Sequence, residues 1–261
     1  MNAEDLVGLA LVATYAGMLA IESLGTGRAW PPVRFWRTRG MAFFVLLMAI
    51  NAVLPSLLPD GWRAQALLPG AQLGVAGGLV AGFVVMTLVN ALVHRAYHRF
   101  DPLWRWVHQL HHSAPRLDVS GAVLFTPQEM AIGVLLFQAV VVFGLGLDPL
   151  AAALLGYVLA FYGLFQHLNL RTPQWLGFLI QRPESHGVHH RRGLHGYNYA
   201  DFPLWDMLMG TFRNPRAFNG EVGFEGGASP RVLPMMLGRD ANAPLYGAAS
   251  RGSRSVQENP A

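Results

Sequence analysis

Five apolar runs constrain this chain more than any other feature. They cover Leu6 to Leu24, Met41 to Leu58, Ala71 to Val93, Met130 to Leu147 and Leu150 to Gln166. A helix needs about 20 apolar residues, rising 1.5 Å each, to cross roughly 30 Å of hydrocarbon. Each run approaches that length, so the expected fold class is all-α, with multi-pass transmembrane helices. The composition agrees: 52% of the 261 residues are hydrophobic and only 13% are charged, about half the charged share of an ordinary soluble domain. The last two runs are joined only by Asp148-Pro149, which predicts a hairpin that crosses the bilayer and returns. Glu4 and Asp5 precede the first run, where a cleaved leader would carry positive charge, so that run is expected to be a retained span.

Charge then orients the bundle. Gly25 to Gly40 carries Arg28, Arg34, Arg37 and Arg39 and no acid. Under the positive-inside bias this loop is cytoplasmic and the N-terminus lies outside. Trp30 and Trp36 suit an interfacial belt there, as do Trp104 and Trp106 further on. The third run then ends inside, the hairpin returns inside, and Arg171, Arg182, Arg191, Arg192, Arg213 and Arg216 follow on that side. The arginines lie in loops between spans, which suits anionic headgroups and argues against a nucleic-acid partner. The sequence contains no cysteine, which excludes disulfides and thiolate metal sites.

All ten histidines fall on the side this topology makes cytoplasmic. His94 and His98 are spaced by four residues. HQLHH (His108, His111, His112) and HGVHH (His186, His189, His190) repeat the pattern H-x-x-H-H. Residues three and four apart share a helix face, so each triplet is expected to point roughly one way. Asp101-Pro102 is read as a cap and a first helical position, ending one helix near Arg99 and starting another at Pro102. Imidazole is the commonest metal-binding side chain. With His167 these residues number nine, too many for one ion with about four ligands and suited to two. Imidazole ligands alone leave iron, zinc, copper and nickel open.

Several motifs in one order narrow the choice. HRAYH, PLWRWVHQLHHS, QHLN, RPESHGVHH, NY and LWDMLMGTF, within about residues 90–213, resemble the fatty acid hydroxylase/sterol desaturase superfamily of integral-membrane di-iron enzymes. The resemblance implies a histidine-rich helical catalytic cap on the cytoplasmic side, two iron ions and O2 as co-substrate. It carries metal-ligand roles to His94, His98, His108, His111, His112, His186, His189 and His190, and to His167. Many members have Arg-x-His-Pro-x-Glu where this chain has Leu124, Thr126, Pro127 and Glu129. Members with a fuller ligand set carry a second histidine near His167; here Arg171 stands four residues on, with Asn169 as a substitute oxygen donor. His195, Asn198 and Asp206 are expected to partner the ligands' other ring nitrogens.

The resulting organisation is residues 1–93 for N-terminal spans, 94–217 for the catalytic region with its hairpin at 130–166, and 218–261 for a tail, disordered from Asn242. The function expected is O2-dependent hydroxylation of an unactivated C–H on an acyl chain or sterol-like lipid. A separate electron-donor protein (a ferredoxin, or a small haem protein with its reductase) would supply electrons, in a bacterial inner membrane. A desaturase on the same site is the alternative within the superfamily. Outside it stands a membrane metal transporter, which would place its ligands within the spans. A bis-histidine haem protein would need one histidine on each of two facing helices.

Overall fold

A computed structural model of the chain describes residues 3–25, 27–59, 61, 65–225 and 229–241. Among them there is no β-strand; an isolated bridge joins Arg191 and Val222. Four helical segments are long and apolar enough to cross a membrane: Ala3–Ser23, Trp36–Leu57, Gly70–Arg99 and Pro127–Gly144. The fifth apolar helix, Pro149–Phe165, is shorter, at 17 residues.

In chain order, α1 (Ala3–Ser23) and α2 (Trp36–Val53) are joined by the arginine-rich loop, and α3 (Gly74–Arg99) delivers the chain into the first histidines. The break comes where it is expected, although Phe100 occupies the cap position and Asp101 lies inside the next turn, paired with Arg105 at 2.9 Å. A continuous right-handed path follows through α4 (Asp101–Leu103), a π-helical turn at Trp104–His108 and α5 (Gln109–His112). After α6 (Val119–Ala122), α7 (Pro127–Phe137) continues as a π-helical segment to Gly144, and α8 (Pro149–Phe165) returns. Asp148 explains the sharp join: its carboxylate accepts from the Leu150 and Ala151 N–H groups, with Pro149 at the first helical position, which caps α8 without a longer loop. The short helices α9 (Pro183–His189), α10 (Pro203–Met209) and α11 (Val232–Met236) complete the histidine end.

Two apolar clusters hold the bundle. One joins α1, α2, α6 and α8 through Tyr15, Met18, Phe44, Val119, Ala122 and Leu164. The other joins α3, the α7 continuation and α8 through Met86, Val141, Leu147, Ala152 and Leu155. Helix α8 belongs to both, so it is the central post of the bundle. A third cluster lies at the histidine end, where Met235 and Ala241 pack on Trp36, Leu110 and Leu124. Gln109 secures this contact. Its amide donates to the Arg239 carbonyl, and its Oε1 accepts from the Ala241 N–H. The segment 229–241, expected to be tail, is thus part of the site's support; Asn242 onward lies outside the described residues.

The tryptophans expected in an interfacial belt differ in exposure. Trp106 is 52% exposed, whereas Trp36 is 4% exposed and donates its Nε1–H to Asp118. Trp104 lies against the rings of His98, His112 and His195. An acid close in space to Trp36, and a histidine cage close to Trp104, draw these rings inward. A charge pattern along the chain cannot reveal such contacts.

Candidate metal centre

The nine histidines of the clusters converge at one end of the bundle as two groups. His94, His98, His108, His112 and His189 form the first; His111, His167, His186 and His190 form the second. In each group one nitrogen per ring lies within 4.8 Å of all the others. The doubled motif is therefore split. His108 and His112 go to the first group and His111 to the second, while His186 and His190 go to the second and His189 to the first. The expectation that each triplet shares one direction is corrected here. Consecutive helical residues diverge by about 100°, enough to send adjacent histidines to neighbouring sites. Each H-x-x-H-H thus ties both groups together.

The ring nitrogens make the case for cations. In the first group, His94 Nε2 approaches His108 Nε2 at 2.9 Å and His98 Nε2 at 3.3 Å, and His112 and His108 approach at 3.2 Å. In the second, the Nε2 pairs His111–His167, His167–His186 and His186–His190 lie at 3.2, 3.2 and 3.0 Å. Ligands held about 2.1 Å from one ion at right angles sit about 3 Å apart. The opposite nitrogens of several rings are already committed. His94 Nδ1 donates to the Tyr199 carbonyl at 2.6 Å, His189 Nδ1 to that of Tyr197 at 2.8 Å and His167 Nδ1 to that of Gly163 at 2.8 Å. His108 Nδ1 lies 2.6 Å from a carboxylate oxygen of Glu129. A carbonyl can only accept, so the Nε2 atoms of His94, His189 and His167 present lone pairs. His189 Nε2 is buried without any partner. Converging lone pairs in a buried space repel unless a cation lies between them, so the donor set fits metal ions.

The protonation balance points the same way. Burial, reinforced by neighbouring imidazoles, holds His108, His111, His112, His186, His189 and His190 well below the ordinary histidine range. Burial brings His167 down to about 4. The rings outside the spans are therefore neutral and ready to ligate at physiological pH.

The residues expected to support the ligands have distinct placements. His195 donates from Nδ1 to the His189 carbonyl at 3.2 Å, and its ring lies 4.7 Å from that of His112. It sits outside both groups and backs His112 and His98. Asp206 touches no histidine; it accepts from the Tyr199 and Ala200 N–H groups and from Thr211 Oγ1. Through Tyr199 it holds the carbonyl that orients His94. Asn198 lies in the left-handed region at φ 55 and bonds to Ser185, Arg213 and Thr211, tying the loop after α9 to the one after α10. Asn169 is engaged elsewhere: its amide exchanges two hydrogen bonds with the Arg28 backbone, which leaves its oxygen occupied away from the ions.

Glu129 is the functional residue that the sequence reading passed over. Thr126 caps α7 and accepts the Glu129 N–H, with Pro127 between them. This capping sequence places the Glu129 side chain against His108, where the carboxylate would increase ring basicity. Its alignment with the glutamate of the superfamily segment was the available signal. The second group has a longer relay. The Gln181 amide lies 3.0 Å from His186 Nδ1 and donates to Gln166, whose amide donates to Asp201.

A cavity of ≈ 690 Å³ runs from Glu4 and Gly8, in the opening turns of α1, to His94, His108, His111, His167 and His186. Its walls come from α1, α2, α3, α7 and α8 and are mainly apolar, including Leu11, Phe44, Met86 and Leu159.

A helical bundle of membrane-crossing length that ends in two groups of converging imidazoles defines a membrane metalloprotein. The family model for fatty acid hydroxylase matches residues 79–211, about half of the 261, and the chain belongs to that family. Ornithine lipid hydroxylase OlsE from Rhizobium tropici is 35% identical over 172 residues, which cover 63% of this chain and 51% of that protein. The chain thus spans about half the length of the curated relative it matches. No solved structure matches it.

Proposed function

We propose that the chain is an O2-dependent lipid hydroxylase that oxidises an unactivated C–H bond. The observation that carries this reading is the cavity, which brings a long apolar space up to imidazoles of both groups. The overall change is RH + O2 + 2e⁻ + 2H⁺ → ROH + H2O. His94, His98, His108, His112 and His189 would hold one iron, and His111, His167, His186 and His190 the other. When bound, the two ions supply the O2 chemistry and accept the electrons delivered by a separate ferredoxin or small haem protein.

The chain's own contribution is placement. Apolar walls admit an acyl chain from the bilayer, hold one carbon against the imidazole end and keep water away from it. A volume of ≈ 690 Å³ suits a drug- or lipid-sized ligand. Carbonyls of Tyr199, Tyr197 and Gly163 fix the ring tautomers, so the ligands need no reorganisation to bind metal. The arginine pattern supports a cytoplasmic position for this end, in a bacterial inner membrane. The hydroxylase relative and family name favour oxygen insertion over desaturation. The position of the ligands at the ends of spans, rather than midway, counts against a transporter. The relative's name makes an ornithine lipid the first substrate to try.

Mass spectrometry of lipids from cells expressing the wild-type chain is expected to show a species one oxygen atom heavier, absent with His111→Ala. An uptake assay in liposomes should show no metal transport. A full product yield from a folded His111→Ala chain would sink the proposal.

A further inference from the structure

Beside the segments that carry His167 and His186 lies a hollow of ≈ 350 Å³, lined in part by Leu168 and Glu184. Arg28, Arg171 and Arg216 line it, with Trp30 and Phe218. Its acid, Glu184, is already neutralised, because both carboxylate oxygens are taken by Thr172 and by Arg182, the latter pairing at 2.9 Å. Arg171 and Arg216 have no acidic partner among the described residues. Arg28 is held in place without a carboxylate: its backbone is clamped by Asn169, its guanidinium donates to the Gly220 carbonyl, and it lies 4.3 Å over the Trp30 ring. Trp30 Nε1 is buried with no acceptor. A buried donor without an acceptor is destabilising, and a bound acceptor that reached it would offset that cost.

Depth identifies the source of that acceptor. Arg28 follows α1, which ends at Ser23, and Asn169 follows α8, which ends at Phe165. The hollow therefore lies just beyond the ends of two apolar helices, where lipid headgroups reside. Leu117, Leu168 and Phe218 give it an apolar side suited to a glycerol backbone. Gly27 makes the architecture specific, because a Cβ there would overlap Asn169 and push the Arg28 loop away.

We propose that this pocket binds the phosphate of an anionic phospholipid headgroup, gripped by Arg28, Arg171 and Arg216. Guanidinium forks suit phosphate oxygens, and basic pockets between membrane helices take anionic headgroups. The site is separate from the metal groups and does not depend on the hydroxylase reading.

The test uses the full chain, purified in neutral detergent and stripped of lipid. Binding of phosphatidylglycerol, phosphatidylcholine and inorganic phosphate is followed by thermal unfolding and by native mass spectrometry. Phosphatidylglycerol should bind in preference to the other two and raise Tm. The paired substitution Arg171→Gln/Arg216→Gln should weaken that binding on the order of tenfold, with metal content unchanged. Trp30→Phe, which keeps a ring and removes the N–H, should give a smaller loss and guards against misfolding of the paired variant. Inorganic phosphate matching the lipid at equal concentration would overturn the lipid assignment in favour of a free anion. Unaltered lipid binding by both variants would overturn the site. So would unaltered lipid binding together with lost reduction by an acidic electron-donor protein, which would make the pocket a protein dock.

Discussion

The two histidine groups are built from the same motif and supported differently. The first has five rings, two of them partly exposed, and a carboxylate directly on one: Glu129 on His108 at 2.6 Å. The second has four rings, all buried, and is linked to a carboxylate, Asp201, only through the two amides of Gln166 and Gln181. An anion in direct contact offsets the charge of an ion more than a relayed one does. Under the proposed assignment, the first group would hold its ion more firmly, and the second, with fewer imidazoles, would leave more coordination positions to other ligands.

Ligand removal gives the largest expected effect. His189→Ala and His190→Ala each remove one ring, from the first and second groups respectively. Each is expected to abolish lipid oxidation, and elemental analysis should show one iron per chain in place of two. Retention of both ions by either variant would break the division into two groups.

Next comes the carboxylate. Glu129→Gln is expected to weaken retention of one ion about 10–100-fold, measured by competition with a chelator, while the second ion is held as before. Equal loss of both ions would mean that the groups are not independently supported.

The smallest effect tests the relay. Burial raises the Asp201 carboxyl to about 6, from 3.8. Between roughly pH 4 and 6 the folded chain keeps a proton that the unfolded chain has released, so the Asp201 contribution to stability falls as pH rises through that window. Above it, Asp201 is a standing cost. Asp201→Asn retains an oxygen for Gln166 and removes the cost. Its Tm should exceed wild type by several degrees at pH 8 and match it near pH 4. An identical difference at both pH values would show that the carboxyl does not titrate there.

Much of this was legible along the chain. Apolar runs and the absence of cysteine determined an all-α membrane bundle with nitrogen and oxygen metal chemistry, because span length and ligand type are local properties. Helical spacing marked eight of the nine clustered histidines, the family resemblance added His167, and Asp148-Pro149 marked the tight return. Tertiary structure alone decided the rest. Which nitrogen enters which group depends on a divergence of about 100° between neighbouring residues and on a π-helical turn at Trp104–His108. Asn169, Asn198 and Asp206 were expected near the rings, yet Asn169 clamps Arg28 and the other two brace loops. Glu129, 21 residues from His108, and Gln109, which holds residues 239–241, act through contacts distant in sequence. Local chemistry is written in order along a chain, but the convergence of four separate segments on two points is a property only of their packing.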